Sequence, residues 1–83
     1  MTNMKIYYRV LKKFYKHKHG KEVYVVRLTA FEPFDLLDKQ ATAFAMKRVN
    51  RHKFEYLCKG QVHVPDGQMG YFYRDFYFTK KKH

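Results

Sequence analysis

The chain has no tryptophan, a single cysteine, two prolines and four glycines in 83 residues, and only seven carboxylates stand against 18 lysines and arginines. Each shortage excludes something. One cysteine, Cys58, permits no internal disulfide and no cysteine-based zinc site, so packing alone must hold the fold and a reducing, cytoplasmic setting is expected. No internal repeat, Ser/Gly-rich linker or low-complexity tract divides the sequence, which reads as one domain, residues 1–83. Nowhere do about 18 apolar residues run together, as a bilayer span requires. The opening Met1–Arg9 has no apolar stretch of signal-peptide length, so no membrane partner is expected.

The scarcity of acid is also uneven. Residues 1–21 hold seven Lys/Arg and no Asp or Glu, and a second basic block closes the chain at Lys80-Lys81-Lys82-His83. A net charge of +11 implies an anionic partner: nucleic acid, a complex that carries it, an acidic protein patch or an anionic surface.

Aromatics, by contrast, are abundant, and the last run sorts them by parity. In Tyr71-Phe72-Tyr73-Arg74-Asp75-Phe76-Tyr77-Phe78 every Phe is even and every Tyr odd. A period of two is a strand's, and Phe leaves water more readily than Tyr, so this strand (about 70–79) buries Phe72, Phe76 and Phe78 and turns Tyr71, Tyr73 and Tyr77 outward. Residues 4–16 alternate similarly, with Ile6, Tyr8, Val10 and Phe14 opposed to Lys5, Tyr7, Arg9, Lys13 and Tyr15. Leu11 and Lys12 break the rule and suggest a bulge. His17-Lys18-His19-Gly20 supplies a turn. The next strand, about 22–31, is apolar on both parities except at Arg27 and Thr29, the pattern of a central strand.

After Glu32-Pro33-Phe34, Asp35 is placed to cap a helix and Asp38 to complement its dipole. Leu37, Ala41, Phe44, Ala45 and Val49 recur at helical spacing, so one helix is expected over about 35–50. Period two then returns over about 53–64: Phe54, Tyr56, Cys58, Val62 and Val64 share one parity, Lys53, Lys59 and His63 the other, and Leu57 dissents. Pro65-Asp66-Gly67 marks a turn into the last strand.

The expected architecture is α+β, a single β-β-α-β-β domain in which two hairpins form a four-stranded antiparallel sheet with one helix packed on one face. The opposite face then gathers Lys5, Tyr7, Arg9, Lys13 and Tyr15, with Lys53, Lys59 and His63, and with Tyr71, Tyr73 and Tyr77. Cations neutralise phosphates and tyrosines stack on bases, so single-stranded nucleic acid or RNA is the expected partner, with Lys16 and Lys18 of the hairpin and Lys80, Lys81 and Lys82 of the tail adding charge. Tyrosine is also favoured on strands for its β-propensity alone. The same face suits a homodimer, or a phage or mobile-element inhibitor of a host nucleic-acid-processing protein, of which the anti-CRISPR class is one instance. A small RNase using His63, Tyr73 and Arg74 is a third reading, although the function expected is non-enzymatic. His17 and His19 are too few, and too crowded by lysines, for a metal site. Gly67-Gln68-Met69-Gly70 leads into a strand and is no phosphate loop, and no cofactor is expected.

Overall fold

A computed structural model describes residues 6–16, 22–37, 39–65 and 70–81, with the backbone alone described for 12–16 and 22. The chain runs β1 (Ile6–Lys16), β2 (Glu22–Ala30), α1 (Pro33–Leu37), α2 (Lys39–Met46), β3 (Phe54–Lys59) and β4 (Phe72–Lys80). All four strands share one antiparallel sheet in the order β1-β2-β4-β3, so the two hairpins join through β2 and β4. The expected α+β architecture is found. The His17–Gly20 turn, the residues Asp66 and Gly67, and Asp38 lie outside the described residues.

β2 is central, as its apolar residues on both parities foretold. Val26, Leu28 and Ala30 pack with Leu36 of α1, Ala41 and Ala45 of α2, and Phe76 and Phe78 of β4 into the main core. Burying a Phe or Leu side chain this fully contributes about 1.5–3 kcal/mol, so Phe76 and Phe78 of β4 are among its principal supports, whereas Phe72, expected to be buried with them, is only half-buried at the edge of the core. On the far side of the sheet Val23 and Val25 are just as inaccessible, in register with Tyr15 and with Leu11 and Tyr77. The face away from the helix is therefore apolar and closed at one end.

Two bulges set which side chains share a face. In β1 the register advances four positions from Leu11 to Tyr15 while β2 advances two, from Val25 to Val23. An even surplus leaves the alternation intact. In β3 the step from Tyr56 to Cys58 faces the single step from Phe78 to Tyr77, and this odd surplus at Leu57 exchanges the faces. Cys58, expected with the core residues, thus stands beside Tyr77 on the far side, and Lys59 beside Phe76 on the helix side. Beyond Gly60 the chain returns to the expected phase, with Val62 against the core and His63 bridged to Tyr73.

The helical region departs from the single helix expected over 35–50. It begins at Pro33, whose fixed φ and missing N–H suit a first helical position, and Asp35 lies inside the first turn with its N–H bonded to the Glu32 carbonyl at 3.2 Å. Leu36 is buried and Leu37 is 53% exposed, reversing the assignment of Leu37 to the core. Leu36 and Ala41 would stand roughly 140° apart on one straight helix, so the phase shifts between α1 and α2. The end comes at Met46 because Arg48 N–H bonds the Ala45 carbonyl in a tightened turn and the Asn50 side chain accepts from the His52 N–H at 2.9 Å, an arrangement that competes with further helix. Strand β3 ends at Lys59 rather than near 64, and β4 opens after Gly70, whose φ of 101° favours glycine.

Arg74 ties these parts together. It stands on the helix side of β4, where its Nε donates to the Gly60 carbonyl and its Nη1 to the Leu36 carbonyl at 3.0 Å, linking β3, β4 and α1. Arg74→Ala should destabilise the domain by about 2 kcal/mol in urea denaturation, because two carbonyls lose a charged donor. Arg74→Lys should recover less than half of that loss, since one ammonium cannot reproduce the fork.

Candidate nucleic-acid interface

The sheet register arranges the face away from the helix in rows. One row crosses Leu11, Val25, Tyr77 and Cys58, the next Arg9, Arg27 and Asp75, and the next Tyr7, Thr29, Tyr73 and His63. The first is largely apolar, with Val25 buried and Leu11, Tyr77 and Cys58 half-buried. The second and third are where this face meets solvent. Arg9, Arg27, Thr29, Pro65, Tyr71 and Tyr73 line a concavity of about 390 Å³ there.

Arg27 is the fixed member. Its Nε donates to Asp75 Oδ1 at 2.7 Å and its Nη2 to Oδ2 at 3.1 Å, a two-pronged pairing directly across β2 and β4. The hydrogen bond to Asp75 holds its pKa above the ordinary arginine value, against the opposing effect of burial. Its guanidinium carbon also lies 4.3 Å from the Tyr73 ring centroid, a cation–π contact. Arg9 stands opposite Arg27 on β1, and among the described residues no carboxylate pairs with it. Two guanidinium groups therefore adjoin with one carboxylate between them and the rest of the sheet, so among the described residues one positive charge in the concavity has no carboxylate partner.

The tyrosines are less free than their alternation suggested. Tyr73 meets His63 on its β3 side, with centroids 5.3 Å apart and planes 25° from parallel, and Arg27 on its β2 side. Because β2 and β3 flank β4 from opposite directions, these neighbours occupy both faces of the ring. Tyr77 lies over Gly60, where an added Cβ would come within 3.5 Å of its ring and hydroxyl. Tyr71 borders the concavity and is half-buried. Tyr7 is the most open, 58% exposed, with its ring edge-on to Phe31 at 6.2 Å.

The lysines disperse. Lys59 stands on the helix side through the Leu57 bulge, and Lys80, opposite Phe54, is on that side too. Lys53 and Lys81 are exposed at the same end of the sheet, where the Lys81 N–H bonds the Lys53 carbonyl at 2.8 Å. The backbone of Lys13 falls in the β1 bulge, Tyr15 is in register with Val23, and Lys16 with Glu22. Lys5, Lys18 and Lys82 lie outside the described residues. So do His17 and His19; among the described residues no three His, Cys, Asp or Glu side chains are grouped to hold a metal ion. His63 and Tyr73 come together, but Arg74 is on the opposite face, so the trio considered for RNase chemistry is not assembled.

Arg27, Thr29 and Asp75 are the members that sequence reading passed over. Arg27 and Thr29 were visible as the only polar interruptions of an apolar strand, and same-parity interruptions mark one polar patch on a central strand. A second basic and aromatic cluster occupies the helix side, where Arg48 lies 4.0 Å from the Phe44 centroid and 4.7 Å from that of Tyr8. Tyr8, expected in the core, is there 52% exposed.

A double-mutant cycle of Arg27→Met and Asp75→Asn should give a coupling of about 1 kcal/mol in denaturant midpoints, reduced in high salt because Arg27 is partly open to solvent. No protein-family model, curated protein or solved structure matches the chain.

Proposed function

We propose that this domain is a non-enzymatic nucleic-acid-binding module that takes single strands or RNA in preference to duplex DNA. The observation that supports this most is the adjoining pair Arg9 and Arg27 in a concavity bordered by Tyr71 and Tyr73, on a chain of net charge +11. Arg9 is suited to meet a phosphate, being exposed and without a carboxylate partner among the described residues. Arg27, held in place by Asp75 and Tyr73, is a preorganised second donor that gives up little freedom on binding. Thr29 adds a hydroxyl, and the exposed rings of Tyr7 and Phe31 continue the surface toward the β1 edge. A face of this kind has the two ingredients of single-strand binding, fixed positive charge and aromatic surface.

A second reading is a protein-binding inhibitor of a host nucleic-acid-processing enzyme. Phe31, Phe34 and Leu37, 57%, 74% and 53% exposed, lie within seven residues at the corner between β2 and α1, and large apolar side chains so placed favour a protein contact. Recovery of one partner by tagged protein after nuclease treatment, lost on Phe34→Ser, would favour it.

The test of the first reading is fluorescence polarisation with labelled single-stranded RNA, single-stranded DNA and duplex DNA over a salt series. Binding should weaken steeply with salt and rank the single strands above the duplex. Arg9→Ala should reduce the slope of log affinity against log salt by about 0.7 on a single strand, the effect of one phosphate contact. An unaltered slope would remove Arg9 from the interface, and equally weak binding to all three probes would turn the search to the protein partner.

A further inference from the structure

The ring contacts on this face form a continuous stack that stops at the sheet edge. Arg27 covers one face of Tyr73, and His63 covers the other at 5.3 Å and 25°. Among the described residues, the stack ends at the side of His63 away from Tyr73. β3 is the edge strand, the His63–Tyr73 bridge is the outermost pairing at this level, and the His63 residue is exposed. A half-stacked aromatic ring left open at an edge is a platform for one more planar group.

The backbone fixes that platform. The His63 N–H donates to the Tyr73 carbonyl at 2.8 Å, and the Tyr73 N–H donates back to the His63 carbonyl at 2.9 Å. Below the ring, Tyr73 is itself held by Arg27, and Arg27 by Asp75, so the imidazole rests on a column anchored in the central strands. Beyond His63 the chain continues through Val64, 57% exposed, into Pro65 at the rim of the concavity.

On the reading that this face takes nucleic acid, we infer that the outward side of His63 stacks an unpaired nucleobase, while a phosphate farther along the same strand reaches the Arg9–Arg27 concavity. Tyr73, both of whose faces are occupied, supports the platform and does not itself stack the base. The ligand class is thus a flexible single strand with an exposed base, since a paired base in a duplex presents no free face. Base identity matters little to such a contact, because every base offers a π surface.

The experiment compares an oligothymidylate with an abasic oligomer of equal length and charge, each titrated against wild-type protein, His63→Ala, His63→Lys and His63→Trp. Wild-type protein should prefer the base-bearing oligomer by about tenfold, within the range of one aromatic–base stack. His63→Ala and His63→Lys should abolish that preference while still binding the abasic oligomer. His63→Trp should retain it and, in a chain with no other tryptophan, report stacking as quenched fluorescence. Retention of the preference in His63→Ala, absence of quenching in His63→Trp, or equal binding of both oligomers by wild-type protein would each overturn the inference and leave nucleic-acid binding standing. If neither oligomer binds, the nucleic-acid reading falls and the inference with it. Thermal denaturation of each variant confirms that it is folded.

Discussion

Everything on the sheet depends on the pairing of β2 with β4. These strands are almost fifty residues apart in sequence, yet Tyr24–Ala30 and Phe72–Phe78 lie in unbroken register, and neither hairpin alone would hold a face wide enough to be a site. The pairing supplies both layers of the protein: Val26, Leu28, Phe76 and Phe78 toward the helix, and Val25, Arg27, Asp75 and Tyr77 away from it. It also places the ion pair. Arg27 and Asp75 are direct cross-strand partners, so the same register that builds the core aims one guanidinium at the concavity. Contacts of such long sequence separation are costly to close, and the assembly of the two hairpins is the expected slow step of folding.

Polar order on the far face follows from economy of cover. One short helical region can shield only one side of four strands, so the other side must close itself or remain wet. Here it does both, with Val23 and Val25 sealed at one end and the Arg9–Arg27 row open at the other. The charged row tolerates its like-charged neighbours because Asp75 neutralises one of them and Tyr73 presents its electron-rich face to the same cation. Arg48 shows a related device on the helix side: its buried Nε has no hydrogen-bond partner among the described residues, and two aromatic rings surround the group instead.

Much of the fold was legible because alternation is a strong signal where one face is buried. The Phe and Tyr parities of β4 and the two-sided apolar character of β2 led directly to the central pair. Leu11, Lys12 and Leu57, which broke the alternation, mark the two bulges. What alternation cannot reveal is the size of the surplus. Two extra residues in β1 preserve the faces and one in β3 exchanges them, which is why the backbone of Tyr15 stays in phase with Tyr7 and Arg9 while Cys58 and Lys59 changed sides. The helix was overextended for a similar reason: its apolar spacing was read as one phase, but Leu36 and the Ala41/Ala45 pair follow two. The concavity was only half legible. Arg9, Tyr71 and Tyr73 came from parity, whereas the occupation of both Tyr73 faces depends on the strand order, which no single strand's pattern contains.

The strand order also polarises the molecule along its strands. The backbone of Lys16, the exposed Arg51 and Lys53, and the paired ends Lys80 and Lys81 gather where β1 and β4 finish. Glu32 and Asp35 sit at the other end, where β2 hands over to α1, while Glu55 and the backbone of Glu22 lie among the lysines and reduce the contrast. Such a charge distribution is a dipole superimposed on a large net charge, and a body of this kind is turned by an external field as well as drawn along it. An extended anion would therefore exert a turning force on such a body as well as an attraction, before a single side chain made contact.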